Sequence, residues 1–192
     1  MSGQESFVTT IAALLSDGWS KAAIRRSMRL FKCERNTDVE EFAHRRALSN
    51  ELNGSTRTYL VLDGSAYEED ELVIMAFVSV ALTATDYSGI APEARREILG
   101  NVPGIWVNNS FPGYLIAELA RDDEYDNEDV PGDMLMMHAE SCIREAMELV
   151  GGGLVYLDCK GELVGYYNDF GYEEIYLDDR TGLHKMMKRL EA

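Results

Sequence analysis

Two side chains of this sequence that can exchange protons are the phenol of Tyr167, on a predicted short helix, and the carboxylate of Glu118, on a predicted strand. A phenol and a carboxylate are among the groups that act as general acids and bases. Both have structural alternatives. Glu118 can be a satisfied polar residue, and Tyr167 belongs to an apolar stripe at helical spacing with Leu163, Tyr166 and Phe170. On that stripe we expect Tyr166 to be the core residue.

Cysteines and histidines are few and scattered, namely Cys33, Cys142, Cys159, His44, His138 and His184. A structural zinc site needs four ligands in close pairs, so we expect no metal site. Cys159 ends a predicted strand and is an alternative nucleophile, although we favour reduced thiols without a catalytic role.

Charge is distributed unevenly along a chain whose net charge is −16. Residues 58–133 contain sixteen acidic residues against three basic ones, whereas residues 1–57 contain nine basic against seven acidic. The basic cluster Lys21, Arg25, Arg26, Arg29 and Lys32 is best interpreted as the solvated face of a helix. Because nucleic-acid binders neutralise phosphates with clustered Lys and Arg, the charge argues against a nucleic-acid partner and favours an amine.

The length and composition suit one ordinary globular domain, with 192 residues of which 46% are hydrophobic and 27% charged. No apolar run approaches the roughly 18 residues of a membrane span. The first residues include Glu5 and lack a basic segment typical of a signal peptide. We therefore expect a cytoplasmic protein without a membrane partner.

Periodicity predicts a mixed order of helices and strands. The predicted helices are 6–15, 20–31, 37–52, 92–99, 132–150 and 162–170. The predicted strands are 58–62, 72–85, 114–120, 154–159, 172–177 and 183–190. Residues 63–71 are interpreted as an exposed turn and 100–112 as an irregular stretch. In the long helix we expect an inward face of Leu135, Ala139, Cys142, Ile143, Ala146, Leu149 and Val150. This order is typical of an α/β fold.

Three segments in this order resemble the GNAT superfamily of acyl-CoA N-acyltransferases. The first is LVYLDCKGELVGYYNDFGYEEI, Leu154 to Ile175, with a tyrosine four residues before Gly-aromatic. The second, Phe31 to Ala47 followed by Ser55 to Asp63, is similar to a bacterial and phage branch related to toxin-like acetyltransferases. The third is PGYLIAELARDD, Pro112 to Asp123, where the superfamily places its cofactor-pairing strand.

The resemblance implies a single-domain GNAT fold over residues 31–192, preceded by a helical extension over residues 1–30. It implies a mixed, mostly antiparallel central sheet, splayed between two parallel strands and flanked by helices. The splayed strands correspond to Tyr114–Arg121 and Leu154–Cys159, and the gap between them exposes backbone groups to the pantetheine of acetyl-CoA, the expected co-substrate.

The resemblance also implies roles for individual residues. A backbone N–H among Leu119, Ala120 and Arg121 would stabilise the carbonyl oxyanion. The next loop and the helix start would bind pyrophosphate, through Val130, Gly132, Asp133 and Met134. Tyr167 would protonate the thiolate, and Glu118 would act as general base.

The loop departs from the superfamily signature R/Q-x-x-G-x-G/A. Over Asn127–Asp133 only Gly132 matches, Pro131 lacks an N–H, and Glu128, Asp129 and Asp133 would repel pyrophosphate. The loop is therefore either a variant that still binds CoA or one that has lost the cofactor.

We expect an acetyltransferase that transfers an acetyl group to a primary amine by direct attack in a ternary complex. The acceptor would be a small molecule or a peptide, and a homodimer is one candidate assembly. The alternative is a catalytically degenerate GNAT-fold protein that acts as a binding or regulatory partner. A third reading is a toxin that acetylates aminoacyl-tRNA, which the net charge disfavours.

Overall fold

The computed structural model describes residues 6–99 and 109–191. The strands are β1 (Ser6–Thr10), β2 (Arg57–Asp63), β3 (Ile74–Asp86), β4 (Ser110–Arg121), β5 (Leu154–Cys159), β6 (Glu173–Asp178) and β7 (Leu183–Arg189). The helices are α1 (Ile11–Ser16), α2 (Lys21–Leu30), α3 (Thr37–Glu41), α4 (Ala47–Asn53), α5 (Gly64–Glu68), α6 (Pro92–Leu99), α7 (Gly132–Val150) and α8 (Val164–Asp169).

Within the described ranges, the strands form one seven-stranded sheet in the order β1-β2-β3-β4-β5-β7-β6. The pair β4–β5 is parallel, whereas β1–β2, β2–β3, β5–β7 and β6–β7 are antiparallel. A mixed sheet with helices confirms the predicted α/β class. Residues 100–108 of the predicted irregular stretch lie outside the described residues, and its last residues belong to β4.

The chain divides into two compact units. The first unit comprises Met1–Ala81 with Ile116–Cys142, and the second comprises Leu82–Leu115 with Ile143–Ala192. The strands β3 and β4 and the helix α7 each contribute residues to both units. The division predicted between residues 30 and 31 stays a prediction.

In the first unit, the predicted helix over 6–15 is wrong in its first half, because residues 6–10 form β1. Phe7 and Thr9 of this strand lie opposite Leu62 and Leu60 of β2. The β-prone sequence SFVTT gains a full ladder of hydrogen bonds there, which a short helix with frayed ends does not offer. The Thr10 hydroxyl then caps α1 by accepting the Ala13 N–H at 2.9 Å.

The helix predicted over 37–52 forms in three parts, α3, a π-helical turn over Phe42–Arg46, and α4. Gly54 ends it with φ of +76°, a left-handed conformation that glycine adopts without strain. The Phe42 ring stacks on Phe77 at 6.1 Å, and the Arg46 guanidinium lies 5.5 Å from the centroid of the Phe42 ring. The π-helical turn thus directs Phe42 into the core of the first unit.

The exposed turn predicted over 63–71 contains a helical turn, α5, in addition to irregular residues. One carboxylate oxygen of Asp63 accepts the N–H groups of Ser65 and Ala66 at 2.9 and 3.2 Å. A side-chain cap at this position makes a single helical turn more stable than an open loop, which explains the difference.

In the second unit, β5 is paired on one side with β7 from Leu154↔Arg189 to Cys159↔His184. On its other side the parallel ladder with β4 comprises two pairs, Tyr114↔Val155 and Leu115↔Tyr156. The buried phenols of Tyr87 and Tyr156 meet at 3.2 Å in the core of this unit. β5 is therefore its central, rigid strand.

The buried face of α7 differs from the predicted one near the end of the helix. Leu135, Ala139 and Ile143 are buried as predicted, together with Met136 and Met147. Leu149 and Val150 are 86% and 73% exposed. Because each residue turns the helix by about 100°, Leu149 points away from the face that Met147 occupies. Helical phase explains the exposure of Leu149, whereas Val150 lies on the side of Met147 and is exposed as the last residue of α7.

Candidate functional site

Tyr167 lies in α8, directly before the chain reverses in the second unit. Its carbonyl oxygen accepts the N–H groups of Phe170 and Tyr172, both at 3.1 Å. Gly171, with φ of +80°, makes this reversal without strain. The Tyr167 ring has edge contacts with the rings of Tyr166 at 5.2 Å and Tyr172 at 6.2 Å. These contacts determine where the phenol points.

The Tyr167 phenol is protonated at neutral pH. Burial raises the pKa of its phenol to about 12, with smaller contributions from Cys159 and Tyr166. Within residues 6–99 and 109–191 its hydroxyl has no hydrogen-bond partner. The phenol therefore keeps its proton at neutral pH and is able to donate it to a bound group.

The expectation that Tyr166 is the core residue of this stripe is wrong. Its side chain is 36% exposed and that of Leu163 is 39% exposed, whereas Tyr167 is half-buried. The turn Gly161–Leu163 before α8 is a 3₁₀ helix. A 3₁₀ turn advances about 120° per residue rather than 100°, which shifts the phase of the stripe, and Tyr167 is less exposed than Tyr166.

Cys159 does not have the properties of a nucleophile. Its side chain is 4% exposed, and burial raises the pKa of the thiol to about 11, with Asp158 and Glu174 adding to the shift. A thiol that stays protonated at neutral pH reacts slowly, which supports direct transfer over a cysteine intermediate.

Glu118 lies half-buried on β4, in the first unit. Burial raises the pKa of its carboxyl group to about 7, the Arg46 charge lowers it and the Asp38 charge raises it. A carboxyl group with this pKa is ionised above neutral pH and is able to accept a proton there. This is the property that a general base needs near physiological pH.

Arg121, at the end of β4, forms hydrogen bonds with the loop that follows. Its guanidinium donates to the carbonyl of Val130 at 2.7 Å and to the side-chain oxygen of Asn127 at 3.3 Å. The same Asn127 oxygen accepts the Gly132 N–H at 3.2 Å. Arg121, Val130 and Gly132, three predicted cofactor-binding residues, therefore share one hydrogen-bond network. Of the other two predicted on this strand, Leu119 is half-buried and Ala120 is buried.

Acidic side chains of the loop satisfy most of its N–H groups. The Asp126 carboxylate accepts the N–H groups of Glu128 at 2.7 Å and Asp129 at 3.3 Å. The Asp129 carboxylate in turn accepts the Asp126 N–H at 3.0 Å. Val130, which is fully buried, donates its N–H to the Asp126 carbonyl. Because these groups are already bonded, phosphate would have to compete with the carboxylates of the protein.

At the start of α7, the exposed Asp133 carboxylate accepts the Met134 N–H at 2.9 Å. The N–H groups of Asn127 and Asp133 donate no hydrogen bond to any of the described residues. Sequence reasoning missed this self-bonded arrangement, although an Asp or Asn that bonds the backbone two residues ahead is a common turn motif.

The described part of the chain has neither a cluster of metal ligands nor a membrane-spanning helix. It contains no group of three or more His, Cys, Asp or Glu side chains arranged to hold a metal ion. None of its helices is long and apolar enough to cross a membrane.

No family model matches the sequence. Solved structures match over nearly the whole chain at low identity. AtaTR bound with AcCoA is 12% identical, with 96% of this chain and 93% of that chain covered and a TM-score of 0.67. A tyrosine-to-phenylalanine mutant of KacT is 15% identical, with 95% and 94% covered and a TM-score of 0.68.

A third structure is AtaT complexed with acetyl-methionyl-tRNAfMet, 12% identical, with 96% and 95% covered and a TM-score of 0.68. A KacTA–DNA complex also matches, with a TM-score of 0.62. The expectation that a nucleic-acid partner is unlikely is therefore not supported by these structures of similar fold. AtaT and KacT have the GNAT fold. The chain has the GNAT fold that its three sequence segments predicted.

Proposed function

We propose that the protein is an acetyl-CoA-dependent N-acetyltransferase that acts on a primary amine by direct attack in a ternary complex. The observation that carries the proposal is the likeness, over 96% of the chain, to a GNAT-fold protein solved with AcCoA bound. The protonation states of Tyr167 and Glu118 are compatible with it, since the phenol keeps its proton at neutral pH and the carboxyl group is partly ionised there.

In the proposed reaction the amine nitrogen attacks the thioester carbonyl carbon. A C–N bond forms, the C–S bond breaks, and the sulfur leaves with the bonding electrons. Tyr167 donates its phenolic proton to this thiolate, and Glu118 accepts the proton that the amine loses, through a water molecule. We assign stabilisation of the carbonyl oxyanion to a backbone N–H among Leu119, Ala120 and Arg121.

Acetyl-CoA binding is the experiment that tests this proposal. We expect heat on calorimetric titration, and stabilisation by about 2.7 kcal/mol at 100 times the dissociation constant. That corresponds to an increase in Tm of roughly 5–10 °C for a domain of this size. If millimolar acetyl-CoA produces neither heat nor stabilisation, the catalytically degenerate binding or regulatory protein is favoured instead.

Loop variants locate the diphosphate in the same titration. Asp126→Ala frees the N–H groups of Glu128 and Asp129, so we expect acetyl-CoA to bind roughly tenfold more tightly. Glu128→Gln removes the same charge without freeing an N–H group and is the matched control. Acetyl-pantetheine, which lacks the diphosphate, should bind all three proteins equally. A gain of the same size with both variants would show that charge alone limits binding.

A second candidate acceptor is the amino group of an aminoacyl-tRNA. The observation that favours it is the exposed face of α2, where Lys21, Arg25, Arg26 and Arg29 point to solvent, with Lys32 just beyond the helix. These five cations form no ion pair with any of the described residues. AtaT, of similar fold, has been solved with an acetylated aminoacyl-tRNA.

On this second candidate, we expect a submicromolar complex with aminoacyl-tRNA near physiological salt. The double variant Arg25→Glu, Arg29→Glu should weaken it by at least about tenfold, because each phosphate contact contributes a salt-dependent part of the affinity. Arg180→Glu, an exposed substitution elsewhere with half of that charge change, is the control. If wild type and both variants bind tRNA equally weakly in a filter assay, the acceptor is a small molecule or a peptide.

A further inference from the structure

The imidazole of His184 lies against the backbone of Gly161, at the turn that leads into α8. A Cβ atom at Gly161 would lie 3.1 Å from Nε2 and 3.7 Å from Cδ2 of this ring. Gly161 does not lie in the left-handed region of φ, so its backbone conformation is open to other residues. It is therefore the imidazole that limits the room for a side chain at this turn.

A hydrogen bond orients the His184 ring. Its Nδ1 lies 2.8 Å from Oε1 of Glu174. Since a carboxylate only accepts hydrogen bonds, Nδ1 carries the hydrogen and donates it. Glu174 lies on β6 and His184 on β7, and these two strands are antiparallel neighbours. The ring is thus held at one nitrogen by β6, while its other nitrogen faces the turn that follows β5.

The neighbours of His184 connect it to Tyr167. His184 lies directly opposite Cys159 in the ladder of β5 and β7, and opposite residues project to the same face of a sheet. Cys159 is close enough to Tyr167 to contribute to the raised pKa of its phenol. The helix α8, which carries Tyr167, packs on β6 and β7. His184 therefore lies beside the start of α8 and on a strand against which this helix packs.

We propose that His184 is a positioning residue for Tyr167, with Glu174 orienting its imidazole against Gly161 and so fixing the start of α8. The inference rests on the proposed function, in which Tyr167 protonates the thiolate. A general acid has to lie within roughly 3 Å of the atom that it protonates, and a misplacement of about 1 Å can lower a rate about 100-fold. Because α8 has only six residues, a shift at its start is transmitted to Tyr167.

The first test observes Tyr167 itself, by fluorine NMR of protein labelled with fluorotyrosine, in which Tyr167→Phe identifies the resonance. Gly161→Ala places a methyl group against Nε2 of His184. His184→Asn keeps an amide N–H for Glu174 but removes the ring edge from Gly161. We expect each substitution to shift the Tyr167 resonance. A resonance that stays in place in both variants would overturn the proposal.

Lys185→Met is the matched control. Lys185 follows His184 in β7, so its side chain projects to the other face of the sheet. Its Nζ lies 2.7 Å from Oδ2 of Asp158 on β5, and the substitution removes this ion pair without changing the contact at Gly161. We expect some loss of stability in urea, with wild-type turnover and an unshifted Tyr167 resonance. A shift equal to that of the His184 variant would show general loosening of the sheet and contradict the positioning role.

The second test separates turnover from binding, with glycinamide as the amine and release of CoA as the signal. Gly161→Ala and His184→Asn should each lower kcat about tenfold, while acetyl-CoA affinity stays within about twofold of wild type. The double variant should lose no more than the worse single variant, because substitutions at two residues in contact are not additive. Losses that multiply to about 100-fold would contradict the contact as the cause.

The two tests distinguish failure of this inference from failure of the proposed function. If the wild type binds no acetyl-CoA and releases no CoA with glycinamide, the proposed function fails for such amines, and the fluorine resonance still decides whether His184 positions Tyr167. If the wild type is active and His184→Asn leaves kcat unchanged, the proposed function stands and the positioning role is overturned.

Discussion

Replacing Tyr167 by Phe is expected to lower turnover about 10²–10⁴-fold, the usual loss when a general acid is removed. The phenol keeps its proton at neutral pH because burial raises its pKa to about 12. Phe retains the ring contacts with Tyr166 and Tyr172. Acetyl-CoA affinity and the free energy of unfolding should therefore change little. Steady-state kinetics, calorimetry and urea denaturation measure the three quantities on one preparation.

Tyr166→Phe is the matched control, one residue earlier in the same helix. Its side chain is 36% exposed, so we expect wild-type turnover and stability. Equal activity of the Tyr167 variant and wild type would remove the general-acid assignment. Loss of stability in the Tyr167 variant would instead favour a structural role for its hydroxyl.

Replacing Gly113 by Ala is expected to destabilise the protein by about 3 kcal/mol, the upper part of the usual range for overpacked sites. A Cβ atom at this position would lie 2.5 Å from Cε2 of Tyr156 and 2.6 Å from the carbonyl oxygen of Leu154. Leu154 belongs to β5, whose backbone is held by β7, and Tyr156 is fully buried. Because neither neighbour can move aside, the added methyl group would overlap with them and strain the folded state.

The midpoint of urea unfolding measures this loss, and an unchanged m-value would show that two-state unfolding is retained. Gly165→Ala is the control, because a Cβ there has nothing within 4 Å and lies inside α8. It should leave stability unchanged or raise it by about 0.5–1 kcal/mol. If the two alanine variants unfold at the same urea concentration, the prediction that Gly113 of β4 lies too close to Tyr156 for a side chain is contradicted.

By itself, the sequence determined the fold class and most of the elements. The strands near Leu154–Cys159 and Ile74–Asp86 and the helix from Gly132 were predicted because long apolar runs and helical periodicity are local signals. The motif around Tyr167 and Gly171 was also readable, since spacing along a chain is preserved in the sequence. The roles of Tyr167, Glu118 and the phosphate loop stay predictions that the variants above test.

Tertiary structure alone decided the properties that depend on residues distant in the chain. Residues 6–10 became a strand because β2 was available to pair with them. Burial raises the pKa of Glu118, and two charges more than seventy residues earlier in the chain act on it in opposite directions, Arg46 lowering it and Asp38 raising it. Burial and proton affinity are set by the sum of such neighbours, and a linear sequence does not specify which residues those are.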